Sequence, residues 1–119
     1  MTSYAVLLPG DESIWATAPE ARKQEMYALH AEFAKLLAER GHQMTGGAEL
    51  TPSSEAQVLR TSADGIQTVT QGPYAESAEQ LTGFYLVETD DLDDLVDVCR
   101  TLGRGEGAIE IRECRDGGQ

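Results

Sequence analysis

Apolar residues recur along this chain in runs, in alternation and at helical spacing, and each rhythm predicts an element. The run Tyr4-Ala-Val-Leu-Leu8 predicts a buried first strand, stopped by Pro9-Gly10. Asp11 to Ala18, which holds the sole tryptophan, Trp15, predicts a loop. Thr17 can cap a helix, Pro19 suits a first turn, and Glu20 sits three residues after Thr17. Met26, Leu29, Phe33, Leu36 and Leu37 then form a stripe of helical period, so the helix is predicted to run to about Arg40, with Gly41 ending it. Arg22, Glu25, Glu32, Lys35 and Glu39 fall off that stripe and face water.

The second half of the chain is strand-rich. Met44 to Leu50 predicts a strand whose Gly46-Gly47 marks a bulge or a close backbone approach. Thr51 to Glu55 predicts a loop, and Ala56–Thr61 and Ile66–Thr70 flank Asp64-Gly65 as a hairpin. Gln71-Gly-Pro73 turns the chain out of it, and Glu76 to Leu81 predicts one helical turn. Gly83 to Glu88 reads as a strand with Phe84 and Leu86 on one face and Tyr85 and Val87 on the other. Thr89 or Asp90 caps a second helix whose stripe is Leu92, Leu95, Val96, Cys99 and Leu102, and Gly103 closes it. After the Gly103, Gly105 and Gly107 exit, Ala108 to Arg112 predicts the last strand, and residues 115–119 a frayed tail.

The predicted order is strand, helix, strand, hairpin, strand, helix, strand. That is an α+β layout of ferredoxin-like type with an inserted β-hairpin. Both helices are expected on one face of the sheet. The other face needs a cover, and a second copy of the chain is the simplest one, so a homodimer is expected.

Composition narrows the functional classes. The 119 residues suit one domain with its own core. Net charge is −12, from 21 acids against 9 Lys and Arg, and no basic stripe offsets it. Nucleic acid and anionic membranes are therefore poor partners. The densest acids, Glu88, Asp90, Asp91, Asp93, Asp94 and Asp97, fit a helix N-terminus better than a calcium loop, which alternates oxygen ligands around a glycine turn. No run approaches the roughly 20 apolar residues of a spanning helix. The first residues lack the pattern of a signal peptide, so a cytoplasmic location is expected. Cys99 and Cys114 are not paired at metal-ligand spacing. Cys99 falls on an apolar helix face as a small core residue. No metal and no cofactor is expected. Phosphate-binding loops, nucleophile elbows and two-histidine metal motifs are absent, and Gly103-Arg-Gly-Glu-Gly107 follows a helix rather than a strand.

Three places could carry chemistry. His30 lies on the flank of the first stripe beside Met26, Phe33 and Leu37, where a partly desolvated imidazole can act as a general base or simply pack. His42, just past Gly41, reads as a solvated cap residue. Glu49 ends the Gly46-Gly47-Ala48 strand, either beside a ligand or as a surface carboxylate. The turn Gly72-Pro73-Tyr74-Ala75-Glu76-Ser77, with its predicted helical turn, would offer backbone N–H groups to an anion.

The stretch Gly72-Pro-Tyr-Ala-Glu-Ser-Ala-Glu-Gln-Leu-Thr-Gly-Phe-Tyr85 resembles the signature of the DGPF branch of YCII-related proteins. Ala28-Leu-His-Ala-Glu-Phe33, Gly46-Gly-Ala-Glu-Leu50 and Gly10-Asp-Glu12 leading to Trp15 match other stretches of that family, in order along nearly the whole chain. Gln71 replaces the signature Asp, Tyr74 a Phe, Ala78 a Lys and Thr82 a Gly. The resemblance implies a ferredoxin-like domain that dimerises through its sheet into an α+β barrel. It also implies a histidine-centred cleft with a His–Asp pair; His30 falls on that histidine, and Asp11 and Glu49 are the options for the acid. Two functions follow as expectations. One is a small-molecule enzyme in which His30 shuttles a proton, Asp11 or Glu49 orients it, and Gly72, Pro73, Tyr74 and Glu76 hold the ligand. The other is a non-catalytic regulatory or binding module, linked to extracytoplasmic-function sigma factors.

Overall fold

Inward and outward residues alternate along the first strand, and that alternation sets the layers. The computed structural model describes residues 1–115; from residue 116 on, the predicted tail lies outside the described residues. Strand β1 (Thr2–Asp11) sends Tyr4, Val6 and Leu8 into the core and Ala5 and Leu7 to the opposite face. It pairs antiparallel with β5 (Glu79–Thr89) on one side and β6 (Glu110–Glu113) on the other. Strand β2 (Gln43–Glu49) pairs antiparallel with the far edge of β5, giving the order β2-β5-β1-β6. Helices α2 (Glu20–Glu39) and α3 (Leu92–Gly103) are the long helices, and α1 (Glu12–Ala16) is a short one. Among the described residues the result is a mixed α+β chain with an antiparallel sheet and three α-helices, consistent with the ferredoxin-like layout.

Phe33 and Leu37 of α2 meet Leu95, Val98, Cys99 and Leu102 of α3 over Val6, Leu8 and Val87 of the sheet. Each such side chain withdrawn from water contributes about 1.5–3 kcal/mol. Ala5, Leu7, Phe84 and Leu86 line the sheet face away from this core and are only half-buried. β3 (Gln57–Thr61) and β4 (Gln67–Gln71) form a separate two-stranded ribbon inserted between β2 and β5.

Several boundaries differ from the sequence expectation. Pro9-Gly10 does not stop β1; a register shift between Leu8 and Pro9 absorbs the proline and pairing continues to Asp11. The expected loop at Asp11–Ala18 holds α1, because the Asp11 side chain caps it at the Ser13 N–H. Thr17 does not cap α2: it is the C-cap of α1, where its hydroxyl donates to the Ser13 carbonyl at 2.8 Å, and Pro19 stands at the N-cap of α2. The helical turn expected at Glu76–Leu81 does not form, and β5 begins at Glu79. α3 is capped by Asp91, whose carboxylate accepts from the Asp94 N–H, rather than by Thr89 or Asp90. On α3 Val98 is buried, while Leu92 and Val96 of the expected stripe are 41% and 39% exposed. The last strand starts at Glu110 instead of Ala108. No described helix is long and apolar enough to cross a membrane.

Candidate functional site

His30 and Tyr27 stand one turn apart on the flank of α2, above the β5 strand. Tyr85 reaches up from β5 and its hydroxyl lies 2.6 Å from His30 Nδ1. Phe33 packs against the same phenol ring, with centroids 5.1 Å apart, and holds it from below. β2 crosses Tyr85 at Gly47, whose φ is +151°. A Cβ there would stand 2.7 Å from the Phe84 carbonyl oxygen and 2.9 Å from Tyr85 Cδ1, so only glycine lets the strand lie this close.

A carboxylate arrives from the opposite side. Glu106 Oε1 lies 3.4 Å from His30 Nε2, a long contact in which the ring donates and the carboxylate accepts. Nδ1 is then free to accept from the Tyr85 hydroxyl. The loop carrying Glu106 is strapped to α2 at three other points. Arg22 donates to the Gly105 carbonyl at 3.2 Å, Arg104 pairs with Glu32, and Gly105 passes directly under Met26 and Leu29. A Cβ on Gly105 would stand 2.3 Å from the Met26 sulfur. The His30 side chain is 23% exposed and that of Glu106 16%. Burial, then Glu106 and Glu49, push the Tyr85 phenol above its ordinary value, which keeps it a neutral donor.

The expected acids sit elsewhere. Asp11 is committed to α1: Oδ1 accepts from the Ser13 hydroxyl at 2.6 Å and its N–H at 2.9 Å, and these bonds hold the carboxyl below its usual range. Glu49 accepts from the Tyr27 hydroxyl at 3.2 Å, one helical turn from His30. Burial and then Glu49 raise the Tyr27 phenol. Tyr27 also meets Trp15 edge-on at 5.7 Å, and the Lys23 ammonium lies 5.6 Å from the centre of the Trp15 ring. Glu49 thus belongs to the neighbourhood of the histidine and raises its Tyr85 partner, while Asp11 is engaged at the α1 cap.

The turn at Gly72-Pro73-Tyr74 through Glu76 lies at the root of the β3–β4 ribbon. Tyr74 is 78% exposed and packs under the Arg60 guanidinium at 5.3 Å. Without the expected helical turn, the row of free N–H groups does not form. A shallow cavity of about 290 Å³ borders Glu106 between α3 and the start of β6, walled by Val96, Cys99, Ile109 and Ile111. Among the described residues, no three His, Cys, Asp or Glu side chains are grouped to hold a metal ion.

His42 is the largest departure from expectation. It is buried, not solvated: its Nε2 lies 2.7 Å from Asp94 and its Nδ1 2.7 Å from the Thr89 hydroxyl. The end of α2 explains this. The Gly41 and His42 N–H groups bond back to Ala38 and Leu37, and the closing turn carries His42 inward.

Residues 3–116 match the YCII-related domain. The chain belongs to the YCII-related family. An uncharacterised protein of Rhizobium meliloti (strain 1021) is 39% identical to it over 116 residues, covering 92% of this chain and 89% of the relative. Within this YCII-related domain, sequence reasoning named His30 and Glu49 but neither partner of the ring, Tyr85 and Glu106. Tyr85 looked like one more alternating strand residue. Glu106 was hidden in a glycine-rich exit, where a lone acid between two glycines was the only available signal.

Proposed function

We propose that this YCII-related domain, a member of the DGPF branch, binds a small organic ligand beside His30. There the imidazole moves a proton between ligand and protein. One observation carries the reading: a partly exposed histidine has its two nitrogens engaged by a phenol and by a carboxylate that a strapped loop presents. The carboxylate can take the proton on Nε2 while the hydroxyl gives one to Nδ1, so a proton can pass across the ring. Trp15 and Tyr27 offer an aromatic wall, and Glu49 and Glu106 make the surroundings negative, so a neutral or cationic ligand suits the site better than an anion. In this reading Glu49 and Glu106 serve the histidine, Asp11 serves α1, and Gly72, Pro73, Tyr74 and Glu76 bear on the ligand only from the root of the ribbon.

The same proposal takes the chain to be a homodimer closed sheet to sheet as an α+β barrel. The half-buried Ala5, Leu7, Phe84 and Leu86 support it, since four neighbouring apolar side chains on an open sheet face are costly in water. The second reading is a non-catalytic module in sigma-factor-linked regulation. The bare β3–β4 ribbon favours it, as exposed surface that a partner can use.

A fragment screen by NMR tests the site. Fragments that bind the native protein are expected to shift the resonances of His30, Tyr27 and Tyr85, and to lose binding in His30→Asn. Fragments that bind His30→Asn equally well would overturn the reading. Binding without turnover of any bound fragment class would favour the module.

A further inference from the structure

The ribbon formed by β3 and β4 has no cover within its own chain. Every residue from 59 to 71 is exposed, and Leu59, Ile66 and Val69 are 60%, 60% and 63% exposed. The described residues measure 50 × 42 × 17 Å with a radius of gyration of 16.5 Å. A compact chain of this length has a radius of about 13–14 Å, so mass is carried well away from the core. A lone two-stranded hairpin is marginal in water. This one is nonetheless braced at its root. The Gly72 N–H donates to Ala56 at 2.7 Å, and Arg60 donates to the Tyr74 carbonyl at 2.9 Å while covering its ring. A short tether holds the approach to it as well: Glu12 accepts from both the N–H and the hydroxyl of Ser53, at 2.7 and 2.6 Å.

The pairing register sorts the ribbon into two faces. Leu59 and Val69 are directly opposite each other and share a face with Gln57, Thr61, Gln67 and Gln71. That face is an apolar pair ringed by uncharged polar side chains. The other face carries Arg60, already engaged with Tyr74. Residues 56–74 contain one acid, Asp64, and one base, Arg60, in a chain of net charge −12. The arm is therefore the part of this molecule that can approach a second, equally acidic copy without Coulomb repulsion.

We infer that the Leu59–Val69 face of the arm docks on a second copy of this chain, each subunit clasping the other next to the open sheet face. The inference rests on the sheet-to-sheet dimer proposed above and adds the part that makes it stable. Four strands about 4.8 Å apart, over about 20 Å of length, present a flat face of only roughly 400 Å². A stable interface takes about 800 Å² from each partner. In a two-fold contact each chain contributes its own arm and the ground under its partner's arm, which raises the contact to roughly 700 Å².

The test is sedimentation equilibrium of the full chain and of the double variant Leu59→Glu, Val69→Glu. Both side chains are exposed, so the variant keeps its fold, which far-UV circular dichroism and melting verify. The native chain is expected at about twice 12.9 kDa at micromolar concentration. The variant is expected to dissociate at least a hundredfold more readily, since four apolar side chains leave the interface and four carboxylates enter it. A native dimer whose dissociation constant is unchanged in the variant overturns the arm and leaves the sheet dimer standing. A native monomer overturns both.

Discussion

His30 and His42 are twelve residues apart and hold the same kind of partners, yet the fold treats them oppositely. Each has one nitrogen on a hydroxyl and the other on a carboxylate. The His42 side chain is 2% exposed and its contacts are both 2.7 Å; the His30 side chain is 23% exposed and its carboxylate is 3.4 Å away. Asp94 is also paired with Arg40, so the cluster at His42 ties the end of α2 to the start of α3. Glu106 ties a glycine-rich loop to the middle of α2 instead. A histidine sealed among satisfied partners holds elements together. A histidine with one short and one long contact at the surface is held less tightly and stays in reach of solvent.

The largest effect should come from His42→Ala. It leaves the buried Thr89 hydroxyl without its acceptor and opens a void, costing about 2–3 kcal/mol in urea unfolding. His30→Asn should cost less than about 1 kcal/mol by the same measurement, because water can reach the vacated partners. Equal losses in the two variants would erase the distinction between the sites.

Acid should separate them next. Asp94 is held below the usual carboxylate range, first by His42 and then by Arg40. Its contribution to stability is therefore complete above the ordinary carboxylate value of about 3.9, and is lost as pH falls from there through the depressed folded-state value. Melting temperature followed from pH 6 to pH 2 should show a shallower acid limb in Asp94→Asn than in the native protein. An acid limb of the same slope would mean that the pair is not formed in solution.

Smaller effects test the core and the open site. Burial pushes the Cys99 thiol up to about 11, so the native protein at pH 8 should label at Cys99 only as fast as it opens, by a disulfide reagent read site by site in a mass spectrometer. Glu106→Gln should leave stability within about 0.5 kcal/mol and let the Tyr85 phenol ionise at lower pH, seen by NMR of labelled tyrosine. An unmoved Tyr85 titration would show that Glu106 does not reach the ring pair.

Much of the fold was legible because it follows from local periodicity. The α2 stripe put Met26, Phe33 and Leu37 inside, the alternation at Phe84–Val87 sorted the faces of β5, and Asp64-Gly65 marked the ribbon tip. Errors fell where long-range pairing overrode a local signal. Pairing with β5 carried β1 through Pro9-Gly10, and pairing with β1 drew Glu79–Leu81 into a strand. Thr89 does not cap α3: its hydroxyl accepts from the Asp91 N–H at 3.0 Å, and Asp91 takes the cap.

The order of the two long helices and the strands, the core face of α2 and the place of His30 on its flank were determined by the sequence alone, because the spacing of apolar residues encodes which side of an element meets the core. Which acid stands beside which histidine was decided only in three dimensions. Glu106 is 76 residues from His30 and Asp94 is 52 from His42. Contacts over such separations arise when helices and strands pack, and spacing along the chain carries no record of them. Burial of His42 was likewise decided by the closing turn of α2 meeting β5 and α3, a junction of three elements that no single stretch of residues describes.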